Sequence, residues 1–246
     1  MKKQKILKRS LIIAAIVLIA LTAGMTYYVK DYYHATPQAM GALTSNETVT
    51  VRNLDKNTLV FEPAKKECQT GFIFYPGGKV QYESYASLMQ SLAEKGIVSI
   101  LVHMPCNLAV LDMNAANGLQ DKFPEIQNWY IGGHSLGGSM AAFYLAKNVK
   151  DYEGLVLLGS YSTVDLNNTN LKVISIYGTK DKVLNMQKYE KNKKNLPKEF
   201  VEKKIEGGCH AYFGSYGEQS GDGEADITEE EQKKITADMI ADYLLK

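Results

Sequence analysis

Short apolar runs alternate with helical patterns from about residue 71 to the end of the chain. Several of the runs are apolar almost throughout, as are the central strands of a parallel sheet that is buried on both faces. A strand, a helix and a second strand in succession require a right-handed crossover, which places helices on both faces of the sheet. We therefore predict an α/β domain with a mostly parallel, doubly wound sheet.

The predicted elements follow from the periodicity of the sequence. The strand runs are 71–75, 97–102, 128–131, 154–158 and 172–177, and the helical patterns are 82–95, 136–148, 183–195 and 228–245. Two further runs, 48–52 and 58–62, flank a polar turn and predict an antiparallel hairpin. Thr228 and Glu231 have the spacing of a capping box. Ligands bind at the carboxyl ends of parallel strands, so the chemistry is expected in the loops that follow Tyr75, Ile131, Tyr177 and Ile205.

The first 30 residues differ sharply from the remainder. Five basic residues within the first nine precede an uncharged, apolar run at 10–29. About 20 such residues span a bilayer as a helix, and basic residues remain on the cytoplasmic side. We expect residues 1–30 to be an uncleaved membrane anchor, residues 31–47 a polar stalk and residues 48–246 the α/β domain. A cleaved secretory signal is the alternative, and both interpretations place the domain outside the cytoplasmic membrane.

The composition indicates one globular domain and excludes several classes of partner. The chain has 246 residues, 45% of them hydrophobic, and a formal net charge of +1. It therefore carries no basic footprint for nucleic acid. Cys68, Cys106 and Cys209 lack the spacing of a zinc site, although one disulfide remains an option. We predict no metal and no cofactor, and nothing in the sequence indicates an obligate protein partner.

The most specific motif is the run from Gly132 to Gly138, in which Ser135 has a glycine two places before it and another two places after it. The run lies between a predicted strand and an alanine-rich helix. A nucleophilic serine at the top of a sheet sits on such a sharp turn, where small neighbours let the backbones pass. The helix behind it directs amide groups at developing negative charge. Ser135 is the candidate nucleophile, although a merely structural turn has the same glycines.

A serine hydroxyl is a weak nucleophile and needs a neighbouring base that a carboxylate holds in the correct tautomer. The chain has four histidines. His34 lies in the expected stalk, His103 ends a strand, and His134 is expected to point away from Ser135. His210, in a glycine-rich loop before the last helix, is therefore the candidate base.

The carboxylate and the oxyanion donors are predicted from the loops at strand ends. Asp181 follows the strand at 172–177, and a carboxylate between the serine and the histidine in chain order is typical of such sites. Asp165 is the rival, expected to be an ordinary loop residue. A tetrahedral intermediate also needs two amide donors for its oxyanion. Leu136 supplies one candidate amide, and Gly78 or Lys79, in the loop after 71–75, supplies the other.

Four segments together resemble the α/β-hydrolase family, especially small bacterial members related to dienelactone hydrolases. They are YPGGK at 75–79, GHSLGG at 133–138, GTKD at 178–181 and CHAYFG at 209–214, and the resemblance covers about residues 48–246. It implies the α/β-hydrolase fold, a Ser-His-Asp triad, an acyl-enzyme mechanism on a small ester-like substrate and no cofactor. Dienelactone hydrolases use cysteine as the nucleophile. This chain has Ser135 there, so their substrate is not transferred.

Two other functions stay open at this point. The same triad in an acyltransferase would pass the acyl group to an alcohol instead of water, and a non-catalytic binding domain could retain the fold. Asp181 and His210 are close in sequence, and no long insertion follows 154–158, so no cap domain is expected. The loop at 214–223, directly after the candidate base, is a candidate wall of the substrate pocket.

Overall fold

The structure is a computed structural model that describes residues 2–65 and 68–246, with the backbone alone for residues 2–8. It divides into two compact units, Met1–Tyr32 and Tyr33–Lys246. The first unit contains helix α1 (Lys2–Lys30). Within α1, the 22 residues Arg9–Lys30 have a mean hydropathy of 2.2 and are long and apolar enough to cross a membrane. A signal sequence has the same properties.

The second unit is built on one eight-stranded sheet. The strands are β1 (Val49–Asp55), β2 (Thr58–Pro63), β3 (Thr70–Tyr75), β4 (Val98–Val102), β5 (Asn128–His134), β6 (Gly154–Leu158), β7 (Lys172–Gly178) and β8 (Val201–Ile205). Their spatial order is β1-β2-β4-β3-β5-β6-β7-β8. β2 is antiparallel to both of its neighbours, β1 and β4. The six strands β4, β3, β5, β6, β7 and β8, which are adjacent in that order, are parallel to one another. The predicted mostly parallel sheet is confirmed.

Helices cover both faces of this sheet. They are α2 (Pro37–Gly41), α3 (Ala86–Glu94), α4 (Leu136–Leu145), α5 (Met186–Asn192) and α6 (Glu229–Leu244). Side chains alternate along β3, as the period of a strand requires. Phe72 and Phe74 join a core cluster with residues of α3 and α6, whereas Ile73 and Tyr75 join a second cluster with residues of α4. Each face of the sheet therefore has its own apolar core.

Helix boundaries differ from the predictions where a tight turn or a capping side chain intervenes. A 3₁₀ turn, Tyr82–Tyr85, precedes α3 in the segment predicted to be helical from residue 82. α5 begins at residue 186 instead of 183, because Asp181 Oδ1 accepts hydrogen bonds from the amides of residues 183 and 184 and holds them in a turn. The capping box of Thr228 and Glu231 forms at the start of α6, as its spacing predicted.

The segment expected to be a polar stalk packs on the domain from Tyr33 onward. The amide of Tyr33 donates to the carbonyl of Lys79 at 2.8 Å. Thr36 then caps α2, and Ala39 within α2 is fully buried. A threonine before a proline is a helix-start signal, and burial of the small apolar side chains that follow favours the packed arrangement. From Tyr33 onward the chain is therefore part of the packed unit and does not form the expected polar stalk.

Candidate active site

Ser135 stands on a sharp turn between a strand and a helix. β5 ends at His134, α4 begins at Leu136, and Ser135 itself has φ 52° and ψ −121°. A positive φ is strained for a residue with a side chain and persists only where the surroundings fix it. Here the amide of Ser135 donates to the carbonyl of Leu158 at 2.9 Å, and its carbonyl accepts from Ser160 Oγ at 2.7 Å. The end of β6 thus holds the turn in place.

The glycines on either side of Ser135 allow backbones to approach closely. A Cβ on Gly133 would lie 2.4 Å from the carbonyl oxygen of Tyr75, and a Cβ on Gly137 would lie 2.2 Å from the same oxygen. Both distances are far shorter than a van der Waals contact. The glycine spacing in the sequence therefore has the structural cause that was predicted, since the end of β3 passes directly against the turn.

His210 and Asp181 form a buried pair. His210 Nδ1 lies 2.8 Å from Asp181 Oδ2, and the exposed fractions of the two side chains are 1% and 0%. Asp181 Oδ1 accepts the amides of Val183 and Leu184 at 2.9 and 2.8 Å, which fixes the orientation of the carboxylate. With Nδ1–H donating to Asp181, Nε2 of the neutral ring is left as a proton acceptor.

Asp165, the rival carboxylate, forms a hydrogen bond within its own surface turn. Asp165 Oδ1 accepts the amide of Asn167 at 2.9 Å, and the residue is exposed. This local cap is what an aspartate in a surface turn typically forms. Asp181 is therefore the carboxylate that the fold brings to His210.

Ser135 and His210 lie at the same edge of the sheet but are not hydrogen-bonded in this conformation. The amide of Ser135 donates to the carbonyl of Leu158. Gly159, which follows Leu158, is so close to His210 that a Cβ on it would be 2.9 Å from His210 Nδ1. His210 Nε2 is buried and has no hydrogen-bond partner among the described residues. Catalytic hydrogen bonds are often long without substrate and tighten in the complex.

The two loop amides that the sequence could not separate have different surroundings. The amide of Lys79 donates to the carbonyl of Asn107 at 2.8 Å and is therefore already used. No backbone hydrogen bond from the amide of Gly78 or of Leu136 is present in the described chain. These two residues are neighbours, since a Cβ on Gly78 would lie 3.0 Å from Leu136 Cδ2 and 3.8 Å from Leu108 Cδ2. The amide of Lys79 is therefore engaged, and the amides of Gly78 and Leu136 remain the candidate oxyanion donors.

His134 lies closer to the candidate triad than the sequence indicated. Its ring is buried beside that of His210, with 4.3 Å between the centroids. Its Nδ1 is 2.8 Å from the hydroxyl of Tyr85. Burial lowers the pKa of His134 well below its usual value; the charge of the neighbouring His210 side chain lowers this pKa further, and the His210 backbone raises it by less. Sequence reasoning missed Tyr85, because a tyrosine at the start of a helical pattern carries no signal for such a contact.

Asp222 joins the two loops that carry Asp181 and His210. Its Oδ2 accepts the amide of Ala211 at 2.8 Å, and its Oδ1 accepts the amide of Lys182 at 3.2 Å. Each of these amides belongs to the residue directly after a member of the candidate triad. Asp222, in the loop at 214–223, therefore fixes the spacing between Asp181 and His210.

Cys106 and Cys209 are free thiols in the structure, so no two of the three cysteines form the optional disulfide. Cys106 is exposed, Cys68 is partly buried and Cys209 is buried. Burial raises the pKa of Cys209 to about 12. Because the thiolate is the reactive form of cysteine, Cys209 is not prepared to act as a nucleophile next to His210.

Comparison with known proteins links these segments to one family. A family model described as the alpha/beta hydrolase family matches residues 71–234, a range that contains Ser135, Asp181 and His210. The match covers well over half of the chain. No curated protein matches the sequence.

Several solved structures share the fold at low sequence identity. A thermostable esterase from Pseudomonas putida has a TM-score of 0.59 and 13% identity, with 84% of this chain and 88% of that chain covered. Est1E from Butyrivibrio proteoclasticus has a TM-score of 0.58 and 12% identity, with 81% and 100% covered. A predicted CIB-like hydrolase from Thermoplasma acidophilum has a TM-score of 0.56 and 14% identity, with 79% and 98% covered. At these identities the likeness concerns the fold.

Proposed function

Because this chain belongs to the alpha/beta hydrolase family, we propose that it is a serine hydrolase that cleaves a carboxylic ester or a similar acyl bond, with Ser135 as nucleophile. The observation that carries the proposal is the buried 2.8 Å contact between His210 Nδ1 and Asp181 Oδ2, beside the strained turn of Ser135. The order Ser135, Asp181, His210 along the chain is the order of this family. Two structural neighbours are described as esterases, which supports an ester as the substrate class.

The reaction begins with attack of Ser135 Oγ on the ester carbonyl carbon. His210 Nε2 takes the hydroxyl proton, and Asp181 stabilises the resulting imidazolium through Nδ1–H. The negative charge of the tetrahedral intermediate falls on the former carbonyl oxygen. The amides of Leu136 and Gly78 donate to this oxygen, and each such donor typically contributes about 100- to 1000-fold in rate.

Collapse of the intermediate breaks the bond to the alcohol oxygen. His210 returns its proton to that oxygen, so the alcohol leaves in neutral form and the acyl group stays on Ser135. Water then repeats the sequence, with His210 as the base that activates it. The products are a carboxylic acid and the free serine hydroxyl.

We further propose that α1 anchors the chain in the cytoplasmic membrane, with the α/β domain outside. The run Arg9–Lys30 has the length and hydropathy for a span. The basic residues before the run favour a cytoplasmic N-terminus. Fractionation followed by N-terminal sequencing of the mature protein tests this, because an intact residue 1–30 segment in the membrane fraction is expected. Recovery of a shortened, soluble protein would indicate a cleaved signal instead.

Labelling with a fluorophosphonate probe tests the catalytic proposal. The wild-type protein is expected to be labelled and to hydrolyse p-nitrophenyl acetate, and Ser135→Ala is expected to lose both properties. Ser139→Ala is the matched control, because Ser139 lies one turn further along α4 and bonds the carbonyl of Tyr161. Labelling that persists in Ser135→Ala would refute the assignment of the nucleophile.

A further inference from the structure

A buried chain of hydrogen bonds connects the loop before Gly78 with the turn of Ser135. The amide of Gly77 donates to Tyr85 Oη at 3.0 Å. The same oxygen is 2.8 Å from His134 Nδ1. Tyr85 is fully buried and His134 is 1% exposed, so water does not compete for these bonds.

One assignment of the protons satisfies both contacts of Tyr85 Oη. This oxygen accepts from the amide of Gly77, and its O–H donates to His134 Nδ1 when the His134 ring carries its proton on Nε2. This requires a neutral His134 ring. Burial is the largest cause that lowers the pKa of His134 well below its usual value, which favours the neutral ring. Burial also raises the pKa of Tyr85, which favours a protonated hydroxyl.

The two end residues of this hydrogen-bonded chain directly precede the reacting groups in sequence. Gly77 precedes Gly78, the proposed oxyanion donor of the loop, and His134 precedes Ser135. The fit is close, since a Cβ on Gly77 would lie 2.7 Å from Tyr85 Oη and 2.8 Å from His134 Nδ1. The loop and the turn are thus held at one fixed distance through a single phenol.

We propose that Tyr85 and His134 are positioning residues that preorganise the oxyanion hole, by holding the amide of Gly78 in register with Ser135 and Leu136. This inference rests on the proposed function of Ser135. An oxyanion donor stabilises the transition state only where it is already aimed at the oxygen that becomes charged. A loop released by loss of the Tyr85 hydroxyl would therefore still bind substrate but would stabilise the intermediate less.

The Tyr85 ring also has a packing role, which the choice of variant separates from its hydroxyl. The ring lies 4.9 Å from that of Phe74, between centroids, in the apolar core. Tyr85→Phe keeps this ring and removes only the oxygen. Tyr243→Phe is the matched control, because it removes a tyrosine hydroxyl that bonds the carbonyl of Val173, near the amino end of β7 and hence at the opposite edge of the sheet.

The test uses the full chain, with p-nitrophenyl acetate and a trifluoromethyl ketone that forms a charged tetrahedral adduct with the serine. For Tyr85→Phe we expect kcat to fall by about 10- to 100-fold, a fraction of the effect of losing a whole donor, with KM changed less than twofold. Affinity for the ketone should fall by the same factor as kcat/KM. Affinity for the corresponding alcohol, which carries no oxyanion, should not change. Tyr243→Phe should retain all these constants.

A second pair of variants addresses His134 and keeps the test open if Tyr85→Phe folds poorly. His134→Asn retains an acceptor near the position of Nδ1, whereas His134→Leu has none. We expect His134→Asn to keep a kcat at least fivefold above that of His134→Leu, at similar KM.

The outcomes distinguish the inference from the proposed function. Unchanged kcat and ketone affinity in Tyr85→Phe, with an active wild-type protein, would overturn the positioning role and leave Ser135 as nucleophile. Equal losses in His134→Asn and His134→Leu would also contradict it. A wild-type protein that neither hydrolyses the ester nor reacts with the fluorophosphonate would instead remove the proposed function itself.

Discussion

Replacement of Gly159 by alanine is expected to damage catalysis as well as stability. Gly159 follows β6 with φ +49°, a conformation that costs a residue with a Cβ about 1–2 kcal/mol. A Cβ there would lie 2.9 Å from His210 Nδ1, 3.0 Å from its Cε1 and 3.2 Å from Asp181 Oδ2. The new methyl group would therefore collide with both members of the hydrogen-bonded pair of His210 and Asp181.

The size of the effect follows from these distances. Ordinary contact begins at 3.4 Å, so the imidazole has to retreat by about half an ångström. A displacement of about 1 Å in an active site costs about 100-fold in rate, and half of it corresponds to about 10-fold, or about 1.4 kcal/mol. We expect Gly159→Ala to lower kcat/KM for p-nitrophenyl acetate by about 10-fold.

Gly118→Ala is the matched control for this experiment. Gly118 also has a positive φ, +69°, but a Cβ on it would meet only Asp121 Oδ2, at an ordinary contact distance of 3.9 Å. It should therefore carry a backbone cost similar to that of Gly159→Ala, seen as a similar fall in melting temperature, at unchanged kcat/KM. A Gly159→Ala protein with the kcat/KM of the wild type would refute the inferred contact between this position and His210.

Three further outcomes are expected. Asp181→Asn should lower kcat by about 10,000-fold with KM little changed, as loss of the tautomer-setting carboxylate does in such triads, whereas Asp165→Asn should leave kcat within twofold. Asp222→Asn removes one of two bonds between the triad loops and should lower kcat by about 10-fold through misplacement of His210, and a wild-type kcat would contradict that role. Hydrogen bonds from Thr228 lower the pKa of Glu231 below 4.5, the usual value for a glutamate. The ionised Glu231 side chain therefore stabilises the fold fully above pH 4.5, and this stabilisation is lost as the pH falls through the lowered pKa of the folded protein. Glu231→Gln should therefore melt earlier than the wild type at pH 7 but not at pH 2.5, as measured by circular dichroism.

Local sequence patterns were sufficient to predict the elements that depend on interactions between residues close in sequence. The apolar runs became strands, and Thr228 with Glu231 became a capping box. The turn at Ser135 could also be predicted, because the two positions that must be glycine, Gly133 and Gly137, lie only two residues from the serine. The three candidate triad residues also followed from their places at strand ends.

Contacts between distant segments could not be read in the same way. Whether the amide of Lys79 or of Gly78 is available depends on the carbonyl of Asn107, which approaches only in the folded chain. Tyr85 and His134 are 49 residues apart, and neither has a pattern that points to the other. The packing of the segment after Tyr33 likewise depends on a bond to Lys79 in a different part of the chain.

The position of β8 has a consequence for how the protein loses activity. β8 lies at the edge of the sheet with β7 as its one neighbour, and of its five residues only Ile205 is buried. The proposed base, His210, follows this strand, whereas the chain's single tryptophan, Trp129, lies in the central strand β5. Edge elements with few buried contacts open before the centre does. Increasing urea should therefore abolish ester turnover while the fluorescence of the tryptophan still reports a folded interior.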